Sequence, residues 1–202
     1  MLSIDLIVGN FICNFDERRK MSDTVFKTKF YRYEIDNWPK AKHDLFALIN
    51  QDIFEDINTF LSDRIPSNNA YLKEFVSIIE SQLKSFKNEL GVQQLIITNV
   101  WTVKYLKGHF HPPHVHSANG YSGVLYLEYN AQEHTGTYFI DPTIDIVTDR
   151  TNFCIPEVRE GQIIIAPSNI LHFTYPNTSN HTRMIIGFDI KLPGSYWNTL
   201  SL

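Results

Sequence analysis

Hydrophobic residues follow two different periods along the chain. Residues 24–35 alternate with a period of two, with Val25, Tyr31 and Tyr33 on one parity and Phe26 and Phe30 on the other. This alternation is typical of a β-strand. The sequence therefore predicts a strand over residues 24–35.

Two helical patterns follow the predicted strand. Trp38 and Pro39 mark the turn into the first helix, because proline is favoured at the first helical position. Residues 40–64 and 70–90 then repeat apolar residues every three or four positions, which predicts two amphipathic helices. Their apolar stripes are Phe46, Ile49, Ile53, Ile57, Phe60 and Leu61 in the first, and Leu72, Phe75, Ile79, Leu83, Phe86 and Leu90 in the second. Residues 66–69 break the pattern, and Gly91 caps the second helix.

Short β-type runs separated by turn residues make up the rest of the chain. They are residues 94–105, 123–129, 136–140, 145–148, 161–166, 172–175 and 182–190. Many short strands of this kind favour an antiparallel barrel or sandwich, of which the jelly roll is one form. We predict a mainly β domain with N-terminal helices. An extension (1–23) and a supporting region of one strand and two helices (24–91) precede its β core (92–192).

Composition narrows the class of protein. The chain has 202 residues, 43% hydrophobic, which suits a single globular domain. Its net charge of −4 indicates no overall attraction to nucleic acid or anionic membranes. It contains no apolar run near the roughly 20 residues that span a bilayer. Two cysteines, Cys13 and Cys154, form neither a disulfide framework nor a zinc–thiolate set.

The N-terminal residues give little information about where the protein is located. Residues 1–9 carry Asp5 and no basic leader, so they make a poor signal peptide, and Met21 offers an alternative start. We therefore expect a cytoplasmic protein by default. Substrate and oligomeric state stay open.

Histidines are concentrated in one segment. Four of the eight lie within residues 109–116, and His114 and His116 lead into the apolar run 121–127. Two imidazoles in a His-x-His pattern on a strand point to the same face and can form half of a transition-metal site. A surface histidine tract, a zinc site and a pH-sensitive loop are the alternatives. The apolar continuation argues against a surface tract.

Two further residues belong with the cluster. Residues 161–171 are typical of a strand and a tight turn, after which His172 begins another strand. A hairpin here would return His172 to the rim that carries His114 and His116. Arg183 begins the last long strand, where it either forms a structural salt bridge or captures a carboxylate with its planar guanidinium.

The order of these motifs resembles the 2-oxoglutarate/Fe(II) oxygenases. The resemblance covers about residues 99–190: Asn99-Val100-Trp101, the His-x-His pair, Tyr-Ser-Gly-Val-Leu-Tyr-Leu, the Pro-Ser-Asn turn before His172, and Arg183 with Gly-Phe-Asp. It is greatest with a subgroup marked by a His-x-His motif. The order and spacing of the motifs are more specific than any one of them.

This resemblance implies a double-stranded β-helix, Fe(II), and 2-oxoglutarate as co-substrate. His114, His116 and His172 take the iron positions, Arg183 the distal carboxylate of 2-oxoglutarate, and Tyr126 a hydrogen bond to that carboxylate. The implied reaction hydroxylates an unidentified substrate and releases succinate and CO2. Trp101, Tyr105, Tyr121 and Tyr138 are candidates for the pocket wall or for ordinary sheet core.

Two positions depart from the family pattern. The usual facial triad has two histidines and one carboxylate, but His116 stands in the carboxylate position. Asp141 or Glu128 remains a candidate for supplying the acid instead. Ile185 replaces a serine that is common beside the arginine.

Two other functions fit part of the pattern. A cupin-type metalloprotein, such as a thiol dioxygenase, also uses three histidines, although it needs no counterpart of Arg183. A metal-free β-barrel that binds a ligand or a partner protein is the non-catalytic alternative.

Overall fold

The structure is a computed structural model, and it describes residues 28–50, 52–116, 120–145 and 148–193. The described part of the chain contains eleven strands and four helices. In chain order they are β1 Tyr31–Glu34, α1 Trp38–Leu48, β2 Glu55–Asp56, β3 Leu61–Ser62, α2 Arg64–Ser67, α3 Leu72–Ile78, α4 Glu80–Leu90, β4 Ile96–Tyr105, β5 His111–His114, β6 Tyr121–Glu128, β7 Tyr138–Asp145, β8 Arg150–Cys154, β9 Gln162–Pro167, β10 His172–Thr174 and β11 Arg183–Lys191.

The strands form two antiparallel sheets. The larger has seven strands in the order β1-β9-β6-β11-β4-β3-β2, and the smaller has four in the order β5-β10-β7-β8. Neighbours in each sheet come from distant parts of the sequence, as in a jelly roll. The predicted fold class, a mainly β domain with N-terminal helices, is confirmed.

The larger sheet is buried on both faces. One face packs against the helices, where Leu45, Phe75 and Phe86 meet Leu125 and Phe188 in one core cluster. The other face looks toward the smaller sheet, and its inward residues form a second cluster around Phe139 of β7. Alternation along each central strand therefore sends one parity to the helical core and the other to the space between the sheets.

The predicted first helix is only half correct. Helix α1 ends at Leu48, and the β2–β3 hairpin replaces the second half of the predicted helix. At its turn, Asn58 has a φ of 68° and its N–H bonds to Asp56 Oδ1 at 2.7 Å. Leu61 then pairs with Lys104 of β4. Pairing to the open edge of the sheet outweighs the helical spacing of Phe60 and Leu61, because it satisfies backbone groups that β4 otherwise exposes.

Other boundaries differ in smaller ways. The predicted second helix is divided at Ile79 into α3 and α4. Strand β8 was missed because all five of its residues are exposed, so it lacks the alternation of a half-buried strand. Of the predicted strand at 145–148, Asp145 is the last residue of β7, and residues 146–147 lie outside the described residues. Of the predicted first strand, residues 24–27 lie outside the described residues.

The remaining expectations concern the membrane and the thiols. None of the helices in the described ranges is long and apolar enough to cross a membrane. Cys154 is an exposed free thiol, while Cys13 and the predicted extension lie outside the described residues.

Gly123 offers a test of the packing between β6 and the helical core. A Cβ at this position would lie 2.0 Å from Cζ of Phe188, a fully buried ring. We expect Gly123→Ala to lower the free energy of unfolding by about 1–3 kcal/mol, because this ring has little room to move. Urea unfolding followed by circular dichroism measures the change.

Gly136→Ala is the matched control. Its Cβ would meet nothing closer than Pro156 O at 3.5 Å, an ordinary contact. Equal stability of the two variants would contradict the packing described for Gly123.

Candidate active site

The smaller sheet brings two of the predicted histidines together. Strands β10 and β5 pair antiparallel, with His172 directly opposite His114. His116 follows two residues after β5, and its backbone N–H bonds to Ser168 O at 3.0 Å. Within the described residues these three form the one group of His, Cys, Asp or Glu side chains that could hold a metal, with ligand atoms within 4.8 Å of one another.

The Nδ1 atom of each of these imidazoles has an acceptor. His114 Nδ1 lies 2.8 Å from Pro112 O, and His172 Nδ1 lies 2.9 Å from Ile170 O. Because a carbonyl oxygen only accepts, each Nδ1 carries the proton and each Nε2 keeps its lone pair. His116 Nδ1 lies 2.9 Å from Asp189 Oδ1. The donor set therefore has the chemistry of a metal site, with the outer nitrogens engaged and the inner ones free.

Burial keeps the imidazoles of His114 and His172 neutral. It lowers the pKa of His172 to about 3, with a further contribution from His114. Burial also lowers the pKa of His114, although the Pro112 carbonyl opposes the shift. Neutral imidazole is the form that coordinates metals, so neither residue needs to lose a proton at neutral pH.

Neither alternative acid reaches this group. Asp141 is exposed, and its Oδ1 accepts hydrogen bonds from the N–H and the hydroxyl of Thr143. Glu128 is absent from the metal-competent group found among the described residues. The acid near the histidines is instead Asp189. Burial raises the pKa of this carboxyl, but contacts with His116 and Asn99 hold it below its ordinary value.

Arg183 is buried without an acidic partner. Its side chain is 2% exposed, and its guanidinium lies 4.8 Å from the ring centre of Tyr105. One nitrogen donates a weak hydrogen bond of 3.4 Å to Thr137 Oγ1, while Nε has no partner. Within the described chain no carboxylate lies at ion-pair distance. A structural salt bridge for Arg183 is therefore not present there.

Tyr126 and Thr137 lie beside this guanidinium. Tyr126 is fully buried and donates a hydrogen bond of 3.0 Å to Thr137 Oγ1. Its ring centre lies 5.9 Å from the guanidinium carbon of Arg183. Thr137 also lines the cavity that contains the three histidines, so Arg183 lies next to that cavity. The predicted metal and carboxylate residues thus surround one space between the sheets.

His111 is a site residue that the sequence reasoning missed. Its ring stacks between His114 and Phe60, with ring centres 4.1 Å away on each side, and it lines the same cavity. His111 Nδ1 lies 2.9 Å from the hydroxyl of Tyr105. Pro112 and Pro113 lie inside β5, so the strand begins at His111. Only the density of histidines could have indicated this residue.

Two of the four candidate wall aromatics line the cavity. Trp101 and Tyr105 do so. Tyr121 packs on the helical side of the larger sheet, 5.1 Å from Phe86, which agrees with the core alternative. Tyr138 does not line this cavity either and joins Phe173 and Tyr175 in a separate aromatic group.

The segment that carries these residues is similar to a known protein family. A family model described as "Putative 2OG-Fe(II) oxygenase" matches residues 99–189. The matched segment covers a little under half of the chain and carries the motifs that resemble the 2-oxoglutarate/Fe(II) oxygenases. It includes the three histidines, Tyr126 and Arg183, and it confirms the predicted enzyme class with Fe(II) and 2-oxoglutarate as its cofactor and co-substrate. None of the curated protein sequences matches the chain significantly.

Several solved structures share the fold. HygX from Streptomyces hygroscopicus, with nickel and 2-oxoglutarate bound, matches with a TM-score of 0.63 and 10% identity over 83% of this chain and 84% of HygX. A 2OG-Fe(II) family oxidoreductase from Burkholderia pseudomallei gives 0.56 and 15% over 74% and 77% of the two chains. The viral collagen prolyl hydroxylase of Paramecium bursaria Chlorella virus-1, in complex with 2OG, gives 0.53 and 13% over 80% and 94%. These similarities support the jelly-roll fold of this chain.

Proposed function

We propose that this oxygenase binds Fe(II) through His114, His116 and His172 and binds 2-oxoglutarate between that centre and Arg183. The observation that carries the proposal is the pairing of three partly or fully buried imidazoles with a buried guanidinium that lacks an anion. The histidine site for a divalent metal ion and the Arg183 guanidinium lie at one cavity. Together they complement a ligand with two carboxylates. 2-Oxoglutarate is such a ligand.

His114, His116 and His172 would hold Fe(II). Each would contribute Nε2, since its Nδ1 faces a backbone carbonyl or Asp189. Three protein ligands leave further positions on the metal for co-substrate and O2. The bound metal would supply the redox chemistry of O2 activation, and the chain orients the groups around it.

Arg183 would bind the distal carboxylate of 2-oxoglutarate. A buried guanidinium without a counter-ion is unfavourable, and an incoming carboxylate relieves that cost. Its unpaired Nε and its contact with Thr137, which lines the cavity, support this role. Tyr126 would join them through its hydroxyl, which already bonds to Thr137.

The cavity wall would exclude water from the reaction. Trp101, Val103 and Ile185 line it with apolar surface from β4 and β11. Such a wall strengthens the electrostatic contacts inside and protects reactive species from water. We further propose that residues 92–192 form the catalytic core and that residues 24–91 support it, since helices α1, α3 and α4 pack on the larger sheet.

The alternative functions account for less of the structure. A cupin-type enzyme that acts without 2-oxoglutarate gives no reason for a buried, unpaired Arg183. A non-catalytic barrel gives no reason for histidines whose outer nitrogens are engaged and whose inner nitrogens converge.

The first test of this proposal concerns the metal. We expect His172→Ala to lose stoichiometric Fe(II) binding, because two remaining imidazoles hold Fe(II) poorly. Metal content after anaerobic loading measures the loss, and Fe(II) should no longer raise the melting temperature of the variant. His43→Ala, an exposed histidine on α1, is the control and should bind as the wild type does. Full metal content in His172→Ala would remove His172 from the centre.

The second test concerns 2-oxoglutarate. We expect Arg183→Met to weaken binding of 2-oxoglutarate to the Fe(II)-loaded protein by roughly 10- to 150-fold, the cost of losing a charged hydrogen bond. Anaerobic calorimetry measures the affinity, and release of succinate under O2 gives the matching KM. Metal content should stay unchanged.

Two comparisons make the second test specific. Arg32→Met, an exposed position on β1, should leave the affinity unaltered. Without ligand, Arg183→Met should be at least as stable as the wild type, because it removes an uncompensated buried charge. Equal affinity for 2-oxoglutarate in Arg183→Met and the wild type would defeat the assignment of Arg183.

A further inference from the structure

A carboxylate lies beside the candidate metal centre, although all three proposed metal ligands are histidines. His116 occupies the position that holds an acid in the usual two-histidine, one-carboxylate triad. Directly behind it, Asp189 Oδ1 lies 2.9 Å from His116 Nδ1. The two side chains are 9% and 16% exposed, so the contact lies largely away from water.

The period of β11 places Asp189 on the site side of the sheet. Arg183, Ile185 and Asp189 share one parity and face the space between the sheets. Met184 and Phe188 have the other parity and enter the helical core. One strand thus carries the cation at its first residue and the acid near its end, about 20 Å apart at the usual rise per residue.

Neighbouring side chains hold the carboxylate in place. Asn99 pairs with Asp189 across β4 and β11, and its Nδ2 donates a hydrogen bond of 2.9 Å to Oδ2. Arg64 approaches the same oxygen only to 3.9 Å, and its side chain is 54% exposed. Oδ1 has His116 Nδ1 as its close neighbour at ion-pair distance, but it has no hydrogen bond of regular geometry to any described group. Trp101 stacks on the His116 ring at 5.4 Å.

The three histidines differ in the group that faces their Nδ1 atoms. The Nδ1 atoms of His114 and His172 are held by neutral backbone carbonyls, whereas that of His116 faces an acid. A carboxylate on the outer nitrogen raises the basicity of the inner one and fixes the ring toward the metal. It also brings a negative charge close to the metal without a direct bond.

We propose that Asp189 is a positioning residue that returns the missing negative charge to the metal centre through His116. This inference rests on the proposed function. The carboxylate accepts the Nδ1 proton of His116, directs Nε2 toward the metal, and stabilises positive charge on it. The carboxylate thus contacts the outer nitrogen of a ligand histidine, whereas in the usual triad it binds the metal directly.

Asp189→Asn isolates the charge. The amide oxygen of the variant can still accept the Nδ1 proton, so the ring keeps a partner while the negative charge is lost. We expect the Kd of Co(II), used as a spectroscopic probe for Fe(II), to rise about 10- to 100-fold. The Fe(III)/Fe(II) potential should rise as well, because the trivalent ion loses more electrostatic stabilisation than the divalent ion.

A double-mutant cycle separates this role from a structural one. His116→Asp returns the acid to the metal, so the charge of Asp189 becomes superfluous and repels the new ligand. We therefore expect Asp189→Asn to weaken Co(II) binding in the wild type and to leave it unchanged or strengthen it in the His116→Asp background. Asp141→Asn, an exposed acid outside the centre, is the control and should change neither background.

The possible outcomes are distinct. Equal losses from Asp189→Asn in both backgrounds, or no loss in the wild type, would overturn the inference about Asp189. In either case the losses expected for His172→Ala and Arg183→Met would still stand. A wild-type protein that binds neither Co(II) nor Fe(II) would instead overturn the proposed function together with this inference.

Discussion

The pairing of β10 with β5 is the interaction on which the candidate active site depends. It sets His172 opposite His114, although the two residues are 58 positions apart in the sequence, and it brings His116 close to both. Neither short strand is stable alone. Their register is maintained because β10 also pairs with β7, where His172 lies opposite Phe139 in the core between the sheets.

The larger sheet supplies the second half of the site. Strand β11 lies between β4 and β6 and is buried on both faces, so its register is strongly determined. A slip of one residue would turn Arg183 and Asp189 toward the helices and bring Phe188 into the cavity. The hydrophobic packing that stabilises the fold therefore also positions the charges that the proposed chemistry needs.

These charges are arranged around one space. The proposed metal centre lies on one side of the cavity, and the unpaired guanidinium of Arg183 lies next to the same cavity. Tyr105 contacts both His111 and Arg183. The arrangement is costly, because the guanidinium is buried and has no counter-ion among the described residues. Asp189 offsets part of the positive charge at the metal side, and its contact with His116 keeps it out of the cavity itself.

The sequence by itself determined the class of fold and indicated the candidate residues of the site. Alternation and turn residues predicted the β core, and the order of His114, His116, His172 and Arg183 predicted the oxygenase family that the match over residues 99–189 confirms. These features are local, or they depend on order along the chain. A period of two or a His-x-His motif is visible without knowledge of any partner.

The tertiary structure decided what depends on partners distant in sequence. Helical spacing at Phe60 gave way to a hairpin because the edge of β4 needed a partner, and β8 had no alternation to show. His111 entered the site because the prolines lie within β5. Asp189 acquired its place beside His116 only through pairing of β11 with β4, since no local pattern states which imidazole an acid will face.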